Sequence, residues 1–265
     1  MSTYKFLQVA EYDAHGGPAV KAGKRTPTNA GRYVIHSFVK HVSFSKDYGF
    51  YSGVPWGTPM RVQAGKLQLK ISGAWINFTA YSEFTKYAGS DQNEKQIIAT
   101  LEGAYKDYKD KIRDQTLLTD AEKKASLPPG WIFNDFGHIT IKYFRDLNGD
   151  YVLNGKETPM SDFIHTTPDD EFRTAHGLAF DLGPSHGCIH VRPVDIDAFI
   201  ALGYAKKGQV VEVHPYSETV AEISMERPQG RPPFEIHFYP GVPRKSLTGR
   251  NLPGKIIVYS VEVQN

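Results

Sequence analysis

Cysteine is almost missing from this chain: its 265 residues hold one, Cys188. An intramolecular disulfide is therefore excluded, and the fold must stand on packing. An excess of one charge is missing as well. The 31 Lys and Arg residues nearly cancel the 29 Asp and Glu, leaving a net charge of +2. The basic residues are scattered rather than gathered into the stripe that phosphate binding needs, so no nucleic acid is expected as a partner. No apolar run approaches the ~18 uninterrupted residues of a membrane span, and no span is expected. From Met1 to Glu11 there is no basic region followed by a long apolar run, so no signal peptide is read there.

What is present is a β-forming composition. Hydrophobic residues make up 40% of the chain, enough for a core, and a 12% aromatic share comes with 24 glycines and 17 prolines. That mixture implies short strands joined by turns, a mainly β (β-rich α+β) protein. Strands are expected at Tyr4 to Val9, Arg32 to Val39, Lys66 to Ile71, Trp75 to Tyr81, His138 to Phe144, Val210 to Val213, Phe234 to Tyr239 and Lys255 to Val263. Between Asp91 and Ser126 the period changes: Ile97, Ile98, Leu101, Tyr105, Tyr108 and Ile112 recur at helical spacing among Lys and Asp. Asp91 with Glu94 and Thr119 with Glu122 form two capping-box patterns, and Pro128-Pro129-Gly130 must stop the second helix. The expected organisation is one domain over 1–216 with a helical pair inserted at about 91–128, and a β extension over 217–265 packed on the same domain.

The chemistry gathers in Ser185-His186-Gly187-Cys188-Ile189-His190. A thiol directly after glycine can sit on a tight turn, accessible to a carbonyl carbon. An ordinary thiol is only a few per cent ionised at neutral pH, so a nucleophilic role needs a partner imidazole. Upstream candidates are His165, in Phe163-Ile164-His165-Thr166-Thr167, and His176, which is nearer to Cys188 in sequence but lacks a strand-like approach.

These elements resemble the L,D-transpeptidase (YkuD-like) family. Ser-His-Gly-Cys followed by an aliphatic residue is similar to its nucleophile signature, and Ile164-His165-Thr166-Thr167 to its aliphatic-His-Gly-Thr element. Thr26-Pro27-Thr28-Asn29-Ala30-Gly31-Arg32-Tyr33 resembles an N-terminal strand opening of the family. Asp195 to Gly203 with Lys207-Gly208-Gln209-Val210-Val211 resembles its closing helix and strand. The likeness runs in order from about residue 18 to 214. The chain departs from the pattern in the longer interval between His165 and Cys188, read as an inserted loop over Pro168 to Gly183, and in Thr166 where the family has glycine.

The resemblance implies a β-sandwich or barrel and a cofactor-free cysteine enzyme acting on peptidoglycan stem peptides. Cys188 is then the nucleophile and His165 its base, with Ser185, His186 and Gly187 completing the catalytic segment. Arg192, His190, Thr166, Thr167 and His176 are expected to bind substrate, Arg192 through a substrate carboxylate. Peptidoglycan lies outside the cytoplasmic membrane, so the expected site of action is the periplasm or cell wall. Without a readable leader, delivery into neighbouring bacteria as an antibacterial effector fits, and its producer would need an immunity protein.

Two other classes compete. His186, Cys188 and His190 alternate, so on an extended strand they would share a face and could bind zinc with His165 or His176. Alternatively, aromatics such as Tyr48, Phe50, Tyr51 and Trp56 could make the chain a non-catalytic wall-binding module. Asp146, Asn148, Asp150, Asn154 and Glu157 are spaced like calcium-loop ligands, but a turn rich in Asp, Asn and Gly is the plainer reading.

Overall fold

The structure is a computed structural model and describes residues 3–40, 53–81, 93–134, 136–218, 224–226 and 233–264. The protein is mainly β. The expected aromatics Tyr48, Phe50 and Tyr51, and Asp91 of the first capping box, lie outside the described residues.

The chain separates into two compact units. The first comprises residues 1–39, 139–166 and 179–265, and the second 40–138 and 167–178. The inserted part is larger than the predicted helices because it carries a sheet and a core of its own.

In the first unit lie β1 (Thr3–Asp13), β2 (Gly31–Lys40), β6 (Ile139–Phe144), β7 (Ile164–His165), β8 (Ile189–His190), β9 (Val210–Val213), β10 (Ser224–Glu226), β11 (Phe234–Lys245) and β12 (Asn251–Gln264). They form one sheet in the order β10-β1-β12-β11-β9-β2-β6-β7-β8. Most neighbours are antiparallel, but β11 runs parallel to β9 and β8 parallel to β7. Alternation sorts the side chains: Val211, Val213, Ile236, Phe238, Ile256 and Val258 enter the core with Ile164 and Ile189. Helix α4 (Pro193–Ala201) starts on a proline at its first turn and buries Ile196 and Phe199 in the same core. Each such burial stabilises the fold by about 1.5–3 kcal/mol.

The expected C-terminal extension is structurally central. β12 lies between β1 and β11, and β11 pairs with β9, so residues beyond 217 hold the first strand of the chain in place.

The second unit has a three-stranded meander of β3 (Met60–Gln63), β4 (Lys66–Ile71) and β5 (Ala74–Asn77). Its turns, Ala64-Gly65 and Ser72-Gly73, are two-residue hairpins with positive φ at both positions, which matches the twist of the flanking strands. Helix α1 (Glu94–Asp110) buries Ile97, Leu101, Tyr105 and Tyr108, the stripe read from the sequence. Helix α2 (Asp120–Lys124) carries the full Thr119/Glu122 capping box. The segment expected as a loop after Thr167 opens instead with helix α3 (Pro168–Ala175), whose Phe172 stacks on Tyr108.

The sheet order predicts that in a chain ending at residue 216 the first unit will not fold, because β1 loses β12 and the core loses Ile236, Phe238, Ile256 and Val258. Amides of β1 and β2 should lose their protection from hydrogen exchange. Protection retained there would mean that the last strands are a dispensable layer.

Candidate active site

Three stretches of the first unit knot together around Cys188. The strand pair β7/β8 sets Ile164 beside Ile189 and His165 beside His190. The amide of Ile189 donates to the Phe163 carbonyl at 2.9 Å, and that of Val191 to the His165 carbonyl at 3.0 Å. With both isoleucines buried in the core, His165 and His190 fall on the other face, their rings edge to face at 4.7 Å. Cys188 precedes β8 by one residue and therefore enters beside the start of β7.

Gly187 makes that entry possible. Its φ of +138° lies outside the range L side chains favour, and a Cβ there would stand 2.9 Å from Oδ1 of Asp162 and 3.1 Å from Oγ1 of Thr26. Ser185 braces the same turn: its Oγ accepts from the Gly187 amide at 3.0 Å and donates to the Cys188 carbonyl at 2.5 Å. The Thr26 hydroxyl donates to the His186 carbonyl at 2.8 Å. Asn29 donates to the buried Asp162 carboxylate through its backbone amide (3.1 Å) and its side chain (2.5 Å). Gly17 packs so tightly here that a Cβ would come within 1.9 Å of the Thr26 carbonyl oxygen.

The half-buried thiol lies 3.9 Å from the Ser161 carbonyl oxygen, which accepts from it. Burial pushes its pKa up to about 11; a hydrogen bond from the Phe163 backbone opposes the rise and the Asp162 charge adds to it. At neutral pH Cys188 therefore rests as a thiol, and attack requires a base. His165 has the form of one. It is buried, and its Nδ1 lies 2.5 Å from the Thr166 carbonyl oxygen. A carbonyl only accepts, so Nδ1 carries the proton and Nε2 is the accepting nitrogen of the ring. The ring is thus held in one orientation by the Thr166 carbonyl.

The remaining residues singled out from the sequence are placed as follows. The Thr166 side chain is fully buried and its carbonyl serves His165. Thr167 caps α3, its hydroxyl accepting from the Asp170 amide at 3.2 Å. His176 belongs to the second unit, where Nδ1 meets the Phe172 carbonyl at 2.8 Å and Nε2 meets Glu122 at 3.1 Å. Both ring nitrogens are engaged there. Arg192 pairs with Asp13 at 3.0 Å instead of offering a bare guanidinium. His190 holds the Gly183 carbonyl at 2.9 Å, and burial drives its pKa down to about 4 despite that bond, so it carries no charge for a carboxylate at neutral pH. His186 is exposed.

The alternating zinc arrangement is not formed. Among the described residues Cys188 belongs to no group of three metal-ligating side chains, because Gly187 breaks the extended alternation on which that reading rested. The carboxylates of Asp146, Asp150 and Glu157 accept from amides of their own turn, at Leu147, Gly149, Tyr151, Val152 and Asn154. Asp162 and its Asn29 partner were missed as site residues; an acid placed just before an aliphatic-His strand was the only available signal.

Comparison with protein-family models, with curated proteins and with solved structures finds no match to this chain.

Alkylation of Cys188 by iodoacetamide should keep accelerating up to about pH 11. Asp162→Asn should move that profile to lower pH, since it removes a negative charge that disfavours the thiolate. A wild-type profile that levels near pH 8.5, the range of a solvated thiol, would contradict the buried environment described above.

Proposed function

We propose that the protein is a cysteine L,D-transpeptidase of the YkuD-like kind, acting on the tetrapeptide stems of peptidoglycan in the periplasm or wall. The observation that carries this reading is the β7/β8 register. It pairs His165, a tautomer-fixed imidazole, with His190, two residues after the only cysteine in the sequence. The ordered resemblance of Ser185 to Ile189, Ile164 to Thr167 and Thr26 to Tyr33 adds the substrate class, and all three segments meet in one hydrogen-bonded cluster.

In the first half-reaction Nε2 of His165 takes the Cys188 proton as sulfur attacks the carbonyl between the L-centre of the diamino acid and D-alanine. The Gly187 amide is occupied by Ser185, so the oxyanion falls to the amide of Cys188, a donor worth about 3 kcal/mol in comparable acyl transfers. The imidazolium returns its proton to the leaving D-alanine nitrogen, and a thioester remains on Cys188. An amine from a second stem, water or a free D-amino acid then attacks the thioester, giving a cross-link, a shortened stem or an exchanged residue. Asp162 shapes the turn and adds to the burial that keeps the resting thiol protonated; it takes no part in proton transfer. Delivery as an antibacterial effector, countered by an immunity protein in the producer, is part of the same proposal.

Mass spectrometry of tetrapeptide muropeptides incubated with purified protein tests it. Wild type should release D-alanine, Cys188→Ala should release none, and His165→Gln should be slower by about 10²–10⁴-fold. Turnover that survives in Cys188→Ala would end the cysteine mechanism.

A further inference from the structure

A second cluster of the first unit lies on the sheet face opposite the core side chains of β9 and β11. Glu212 on β9 is the register partner of His237 on β11, and His214 follows just after β9. Alternation with the buried Val211, Val213, Ile236 and Phe238 turns all three away from the hydrophobic core. One nitrogen of each imidazole and one oxygen of Glu212 lie within 4.8 Å of one another. His237 is fully buried and His214 is buried.

The hydrogen bonds around these rings set a condition on what lies between them. Nδ1 of His214 meets a Glu218 carboxylate oxygen at 2.7 Å, and Nε2 of His237 meets one of Glu235 at 3.2 Å. A carboxylate only accepts, so both of those outer nitrogens carry the ring proton. The inner nitrogens, Nε2 of His214 and Nδ1 of His237, face each other at 3.0 Å. In two neutral rings so held, these are two lone pairs directed at one point, an arrangement that calls for an electrophile between them. A shared proton would satisfy two nitrogens, but Glu212 brings a third donor to the same place. Histidine ligands whose far nitrogen donates to a carboxylate are the usual construction of a metal site.

We propose that Glu212, His214 and His237 bind a first-row divalent metal ion, zinc foremost, with Glu218 and Glu235 orienting the two imidazoles. Two nitrogens and one carboxylate suit zinc and its neighbours, whereas calcium and magnesium take oxygen ligands. At Zn–N distances of about 2.0–2.1 Å the two ligating nitrogens stand slightly farther apart than 3.0 Å, an opening of a few tenths of an ångström. Tyr239 stacks on the His214 ring at 4.0 Å, and Phe6 and Tyr259 set their edges to His237. Glu212 also pairs with Arg32. With aromatic rings around both imidazoles, the ion acts as a structural pin. It fastens β11, and through it β12 and β1, to β9, and it is separate in residues and chemistry from the Cys188 site.

The test uses the full chain, stripped with a chelator and titrated with zinc against a chromogenic competitor, with Tm followed in parallel. One zinc per chain and a higher Tm are expected for wild type and for Cys188→Ser. His237→Gln should lose both effects, and Glu218→Gln should bind at least about tenfold more weakly. Should His237→Gln fail to fold, Glu212→Gln, whose side chain is 23% exposed, replaces it with the same expectation. Wild type that binds no zinc, or gains no Tm from it, overturns the proposal. So does zinc that is lost in Cys188→Ser and kept in the histidine or Glu212 variant.

Discussion

The parallel register of β7 and β8 is the constraint on which the rest of the candidate site depends. These strands are two residues long, yet they fix which side chains share a face. Ile164 and Ile189 go inward, and that choice sends His165 and His190 to the other side. A slip of one residue would exchange the two sets and bury the imidazoles in an apolar core. Gly187 is the counterpart of that register. Its backbone conformation and its contact with Asp162 admit no side chain, so the turn delivers Cys188 to the head of β8 at one position only.

The surroundings of Cys188 also keep its thiol protonated. Burial and the neighbouring acid both favour the protonated sulfur. A thiol held in that state resists oxidation and adventitious alkylation, which act on the thiolate. Under the proposed mechanism, reactivity is confined to the moment when a carbonyl is present and His165 takes the proton. A low-pKa cysteine would react faster with any electrophile, so that mechanism exchanges general reactivity for selectivity.

Where alternation or helical period was strong, the sequence was legible to the residue. Lys66–Ile71 and Val210–Val213 form as read, and the apolar stripe of α1 is the one that its spacing implied. Helix α3 was not legible, because Pro168 to Ala175 is acidic and polar with Phe172 as its one large apolar residue; a cap and a proline start are weak signals without a stripe. The strand expected at Trp75 to Tyr81 ends at Asn77 and gives way to a 3₁₀ turn at Phe78–Ala80. At the candidate site, local pattern singled out Cys188 and His165, but the partners of the other residues lay beyond it. Asp13 lies far along the chain from Arg192, as Asn29 does from Asp162, and only the folded sheet brings them together. His214 and His237 escaped notice for the same reason, since their meeting depends on a parallel crossover.

The order of strands carries a consequence for how the protein is made. Thr3 of β1 pairs with Gln264 of β12, so β1 is made long before the strand that becomes its main neighbour. Closing so long a loop is entropically costly and slow, and until β12 emerges the apolar side of β1 has no neighbour to cover it. Between the making of β1 and that of β12 the nascent chain is held back from its final form, and chaperones have that interval in which to bind β1.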